Sequence, residues 1–199
     1  MSERLFEGDV LFLQRLLKSA GFYKSTLDGD WGPKTDAAVE AFDARFREIR
    51  DNIGEFDSRS EGNLHGLHPK AQEAARKFLR QVQDAGMTVR ILSGTRTYAE
   101  QNSLFRIGRF GDSRAKVTNA RGGQSNHNFG IAWDIGVFIG GKYMTTSEPY
   151  RDAAEAGLFD GLEWGGNWIS FKDLPHYQLP TGLSISQLRG KFENGEPYA

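Results

Sequence analysis

The 199-residue chain is long enough to bury a core and suits one domain, or one domain with a small appendage. Its 25 basic and 26 acidic side chains nearly cancel, which argues against a nucleic-acid partner. It has no cysteine, so disulfides and thiolate metal sites are excluded and any metal must be held by His, Asp or Glu.

The opening MSERLFEGDVLFLQRLLKSA is acidic before its apolar run, and Gln14-Arg15 interrupts that run, so it does not read as a secretory signal. No stretch approaches the length of a membrane span, and no membrane insertion is expected. From about Asp9 to Ala20 the face Val10, Leu13, Leu16 and Leu17 predicts a helix that stops at Gly21. After a turn-rich segment, Pro33 suits the first position of a second helix, which carries Ala38, Phe42, Phe46 and Ile49 to about Asp51. Residues 1–52 thus form a small helical unit. Residues 53–67, polar and glycine-containing, are expected to be a linker, with residues 68–199 as the main domain.

His68-Pro69 opens a third helix, apolar at Ala71, Ala74, Ala75, Phe78 and Val82. Met87 to Leu92 has strand composition, and Thr97 with Glu100 matches a capping box for a helix to about Ile107. Gly108 to Gln124 reads as loop, Ile131 to Ile139 as strand, Tyr150 to Ala156 as a short helix, and Pro175 to Leu179 as a late strand. Helices and strands mix without a βαβ rhythm, which predicts an α+β fold.

Two of the four histidines carry the chemistry. His127 lies seven residues before Asp134 in Ser125-Asn126-His127-Asn128-Phe129-Gly130-Ile131-Ala132-Trp133-Asp134, and His176 closes Asp173-Leu174-Pro175-His176. Two imidazoles and a carboxylate make a three-ligand zinc set with a position left for water, and Asp173 could handle the proton of that water. An odd spacing would put His127 and Asp134 on opposite faces of a regular strand, so Asn128-Phe129-Gly130 must break the register. Ala132 and Asp134 then point one way, with Ile131, Trp133 and Ile135 directed into the core. Pro175 keeps Leu174 from helical geometry, so Asp173 and His176 sit on a corner, with His176 and Gln178 sharing one strand face. Glu163, before Trp164-Gly165-Gly166, is a competing carboxylate, and a turn or salt-bridge role is its plainer reading. His65 and His68 read as linker and helix-start residues.

Ser125-x-His127-x-x-Gly130-x-Ala132-x-Asp134, followed by Asp173-x-x-His176, resembles the motif pair of the M15 zinc peptidases, over roughly His65 to Leu179. The resemblance implies a small antiparallel sheet flanked by helices, the DD-peptidase and hedgehog-like fold. It implies zinc ligands His127, Asp134 and His176, with Asp173 as general base. It also implies an arginine in the Ser93-Gly94-Thr95-Arg96 position facing the substrate carbonyl, where Arg96 could stabilise an oxyanion. Gln101 and Ser125 are candidates for substrate hydrogen bonds, and Trp164 for the wall of the cleft. Asp and Pro before the last histidine are more similar to the L-alanyl-D-glutamate endopeptidases, including those of phage endolysins, than to the carboxypeptidases.

Leu13-Gln14-x-x-Leu17, Gly21, Asp28-Gly29 and Gly32-Pro33-x-Thr35 resemble the small peptidoglycan-binding domain found beside wall hydrolases, although the pattern departs after Val39. A packing appendage is the alternative for this unit. The expectation is a monomeric zinc endopeptidase acting on peptidoglycan stems, made without a signal peptide and reaching the wall after release or delivery. The rivals are a D-alanyl-D-alanine carboxypeptidase and a wall-binding module without activity.

Overall fold

In the computed structural model, which describes residues 7–199, helices and strands are mixed along the chain. The helices are α1 (Glu7–Ser19), α2 (Pro33–Ile53), α3 (Ser58–His65), α4 (Pro69–Asp84), α5 (Tyr98–Arg106), α6 (Glu148–Gly157) and α7 (Ile185–Asn194). The strands are β1 (Thr88–Ser93), β2 (Ala132–Ile139), β3 (Lys142–Tyr143), β4 (Glu163–Trp164) and β5 (His176–Gln178). All strand pairs are antiparallel, in the order β1-β2-β5-β4 with β3 beside β2, so the chain is α+β as its sequence predicts. No helix among the described residues is long and apolar enough to cross a membrane. Residues 1–6, part of the stretch read above as non-secretory, lie outside the described residues.

Contacts divide the chain into two units, neither continuous in sequence. One comprises Arg45–Thr95 and Gly130–Pro180. Here α4 presents Ala71, Ala75, Phe78, Leu79 and Val82, all essentially fully buried, at the spacing of one helical face. They pack with Ile91, Trp133, Ile135, Val137 and Tyr177. Phe78 meets the Tyr177 ring at 4.4 Å, and Trp133 stacks on the same tyrosine at 6.3 Å. Each of the buried Val, Leu, Ile and Phe side chains contributes about 1.5–3 kcal/mol by leaving water.

The stretch 53–67, expected to be a linker, instead folds as α3 and joins this core, with Leu64 and Leu67 fully buried. Asp57 caps it by accepting from the Ser60 backbone N–H at 3.2 Å. Its polar residues, which suggested a linker, are spent internally. Ser60 Oγ accepts the Ile91 N–H at 2.9 Å, and the Asn63 amide donates to the Ile91 carbonyl at 2.9 Å, so both backbone groups at this point of edge strand β1 are satisfied. Glu61 takes a two-pronged bond from fully buried Arg76, at 2.8 and 2.6 Å.

The other unit comprises the described residues up to Ala44, Arg96–Phe129 and Thr181–Ala199. Leu17, Tyr23, Ala38 and Phe42 form a small core between α1 and the start of α2. Its polar centre is Gln14, fully buried. Its amide donates to Asp28 Oδ1 and the Asp30 carbonyl at 2.9 Å and to Thr35 Oγ1 at 3.3 Å. Its carbonyl accepts the N–H groups of Asp28 and Gly29 at 3.2 and 3.0 Å. One side chain therefore pins the segment from Asp28 to Thr35 that leads into α2. On another face of α1, Phe12 meets Phe192 of α7 at 5.2 Å, and Phe192 meets Phe129 at 5.5 Å. The Tyr198 hydroxyl donates to the Phe129 carbonyl at 2.6 Å and accepts from Ser19 Oγ at 3.3 Å. The capping box of Thr97 and Glu100 forms at α5, and Ser184 with Gln187 forms a second at α7.

Replacing Gln14 by Leu keeps the volume but strands the Asp28 and Gly29 donors. A loss of about 3 kcal/mol, read as a lower urea midpoint, is expected.

His68 caps α4 by accepting the Lys70 N–H on Nδ1 at 3.3 Å, and burial pushes its imidazole down to about 4. The unfolded chain takes up this proton near 6.5, whereas the folded chain resists it until about 4. The stabilisation is therefore complete above 6.5 and is lost as pH falls across that window, roughly 3 kcal/mol in all. Urea titrations at pH 7, 5 and 4 should show this loss in the native chain and a flatter profile in His68→Asn.

Candidate metal centre

The β2–β5 register pairs Asp134 with His176, Trp133 with Tyr177 and Ala132 with Gln178. Because side chains alternate along a strand, this register sends Trp133 and Tyr177 into the core and brings Asp134 and His176 together on the opposite face. His176 Nδ1 lies 3.2 Å from Asp134 Oδ1. Tetrahedral zinc with bonds of about 2.0–2.1 Å would hold its ligands about 3.3–3.4 Å apart, so this pair already has the spacing of two ligands. The imidazole is buried, which disfavours its charged form. The hydrogen bond and charge of Asp134, the Gln178 side chain and the charge of Asp173 outweigh that and hold it above the ordinary histidine value.

His127 occupies a 3-10 turn, Asn126–Phe129, and Gly130 after it takes a positive φ of 67°. This is the break in register that the odd spacing requires. Asn128, fully buried, braces the turn: its Oδ1 accepts the Gly123 N–H at 2.9 Å and its amide donates to the Arg96 carbonyl at 2.8 Å. The Arg96 N–H in turn donates to the His127 carbonyl at 3.0 Å. One ligand atom from each of His127, Asp134 and His176 lies within 4.8 Å of the others, and the donor set of two imidazoles and a carboxylate suits zinc.

Arg96 Nη2 stands 3.4 Å from His127 Nε2, and its Nη1 donates to Gln101 Oε1 at 3.3 Å. Gln101, expected to face substrate, is fully buried and gives its amide to the Ala120 carbonyl at 3.0 Å and to Thr118 Oγ1 at 3.4 Å. It acts on Arg96 and on the loop around Ala120. Ser125 is half-buried, and its carbonyl accepts the Asn128 N–H at 2.9 Å.

The Asp173–His176 corner closes with the His176 N–H donating to the Asp173 carbonyl at 3.2 Å. Asp173 is anchored by its own N–H to the Gly165 carbonyl at 3.1 Å, and the Ile135 N–H donates to the Pro175 carbonyl at 2.9 Å. Gly165 is a close-approach glycine, since a Cβ there would stand 2.5 Å from the Asp173 carbonyl oxygen. Trp164, expected to line the cleft, is 8% exposed, packs in the core and donates its indole N–H to the Leu174 carbonyl at 2.8 Å. It supports the corner from beneath. Glu163 is engaged on both oxygens, accepting from Gln178 at 2.8 Å and from the Trp168 indole at 2.9 Å. Trp168 itself lies 5.0 Å from the His176 ring, centroid to centroid. The bracing by Asn128 and the packing of Gly165 escaped the sequence reading, because neither carries a local signal beyond lying next to a motif residue.

Residues 118–179 match an M15 peptidase family described as D-alanyl-D-alanine carboxypeptidase, and residues 7–47 match a peptidoglycan binding domain family. The Bacillus subtilis (strain 168) peptidoglycan L-alanyl-D-glutamate endopeptidase CwlK is 33% identical over 124 residues, 57% of this chain and 73% of that protein. The chain belongs to the M15 peptidases. It is therefore an enzyme, a peptidase of a metal-dependent family. The crystal structure of the Serratia marcescens L-Ala D-Glu endopeptidase ChiX is 31% identical, over 64% of this chain and 90% of that one, with a TM-score of 0.46.

Gly165→Ala should push the Asp173 corner outward, at a cost of about 1–3 kcal/mol. Peptidase activity is expected to fall with stability, because Asp173 and His176 share that corner. Gly190→Ala, on α7 with nothing within 4 Å, serves as the control and should leave activity unchanged.

Proposed function

We propose that this M15 peptidase is a zinc-dependent endopeptidase that cleaves bacterial peptidoglycan stem peptides between L-alanine and D-glutamate. The observation that carries the reading is the convergence of His127, Asp134 and His176 in a chain of this family. The name of CwlK supports the choice of bond, and the match of residues 7–47 to a peptidoglycan binding domain supports the wall as its place of action.

His127, Asp134 and His176 are the proposed zinc ligands. When bound, zinc supplies Lewis-acid polarisation of the scissile carbonyl and acidifies water. Asp173, on the corner that ends in His176, is the proposed base: it takes the proton of the attacking water and delivers it to the leaving amine. Arg96, held by Gln101 and by its backbone bond to the His127 carbonyl, directs a fixed positive charge toward the developing oxyanion. Ser125, half-buried just before the 3-10 turn, is the proposed partner for a hydrogen bond to the substrate. The unit containing α1 and α2 is proposed to hold the enzyme on the wall.

The matched family's description favours one other bond, the terminal D-alanyl-D-alanine linkage. Mass spectrometry of purified peptidoglycan digested with and without a chelator separates the two. New stems beginning at D-glutamate, formed only without chelator, are expected. Loss of terminal D-alanine alone would assign the carboxypeptidase reaction, and no cleavage by zinc-loaded protein would remove the wall as substrate. In the same assay Asp173→Ala should lose at least about a hundredfold in rate while retaining its metal.

A further inference from the structure

An imidazole can ligate a metal only through a nitrogen that carries no hydrogen, so a histidine ligand must be held in one tautomer. For His176 the deciding groups lie on β4 and β5. Its Nε2 is 2.9 Å from Gln178 Oε1. The Gln178 amide nitrogen donates to Glu163 Oε2 at 2.8 Å, the two residues being paired across β4 and β5. The remaining Glu163 oxygen accepts the Trp168 indole N–H at 2.9 Å.

The polarity of this chain is not free. An ionised carboxylate only accepts, and an indole N–H only donates. Facing Glu163, Gln178 must present its NH2, so its carbonyl oxygen faces the ring. The ring must then carry its hydrogen on Nε2, which leaves the lone pair on Nδ1. That nitrogen is the one that stands 3.2 Å from Asp134 Oδ1.

We propose that Glu163 is a positioning residue: acting through Gln178 and anchored by Trp168, it imposes the Nε2–H tautomer on His176 and so assigns Nδ1 as the metal-binding atom. The proposal rests on the zinc reading above. It gives the competing carboxylate of the sequence a task two hydrogen bonds away from the ring. Groups that orient a ligand in this way are worth about ten- to a hundredfold in metal affinity.

The test measures zinc affinity by competition with a chromogenic chelator, and the His176 tautomer by long-range proton–nitrogen NMR of the zinc-loaded protein. Near-ultraviolet circular dichroism confirms folding. In Glu163→Gln the new amide can satisfy Trp168 with its carbonyl and then offers Gln178 an NH2, so the chain of hydrogen bonds can reverse. Zinc binding about ten- to a hundredfold weaker is expected. The double variant Glu163→Gln with Gln178→Glu reverses only the bond between positions 163 and 178, keeps an acceptor for the Trp168 indole and again places an obligatory acceptor against His176 Nε2, so it should recover most of the lost affinity. A purely structural defect would not be repaired by this exchange. Wild type that binds zinc with hydrogen on Nδ1 of His176, Glu163→Gln that binds as tightly as wild type, or a double variant without recovery would each overturn the proposal while leaving the zinc site standing. Wild type that binds no zinc would remove the zinc site and the proposal together.

Discussion

Asp134 and His176 face each other across β2 and β5 with little water around them, and much of the protein can be understood as the means of keeping them there. A carboxylate oxygen opposite an imidazole lone pair is repulsive unless a proton or a cation lies between them. The raised proton affinity of His176 records that tension. The register that creates the pair is enforced from the other side of the sheet, because a slip of one residue would turn Trp133 and Tyr177 toward water and both polar groups into the core. Packing and chemistry thus demand the same alignment, and neither can drift without the other.

Around this pair, precision comes from hydrogen bonds between loops rather than from the sheet alone. Asn128 ties the His127 turn to the Arg96 and Gly123 segments, and Gln101 orients the Arg96 side chain. Gly165 and Trp164 hold the Asp173 corner from two sides. In the unit that contains α1, Gln14 plays the comparable part for the turn between Asp28 and Thr35. In each case one amide, with both donors and acceptors, replaces a stretch of regular backbone pairing.

Much of this was legible in the sequence where the signal is local. The α4 stripe, the Thr97–Glu100 capping box and the strand through Trp133 appear where their patterns predict them, and the two motifs mark residues that converge in space. Harder to read was anything whose meaning depends on a distant partner. Helix α3 looks like linker because Ser60, Asn63 and Glu61 are polar, yet they serve the edge of β1 and a buried arginine. Trp164 and Gln101 lie beside the motifs and invite a substrate role, but their polar atoms are committed to Leu174, Ala120 and Thr118. Helix α7 has a good cap and no strong stripe, and its weight in the fold comes from Phe192 meeting aromatic rings of α1 and of the His127 turn.

The Tyr198 hydroxyl, which links Ser19 to the Phe129 carbonyl, also bears on how the chain comes to be folded. Ser19 and Tyr198 are separated by 179 positions, so the brace on the His127 turn closes a long loop. The register of β2 and β5, by contrast, depends on segments only 42 positions apart, as the Asp134–His176 pair shows. Closing the longer loop costs about 1 kcal/mol more entropy, so on refolding the sheet ligands can pair before the turn that carries the remaining ligand, His127, is secured.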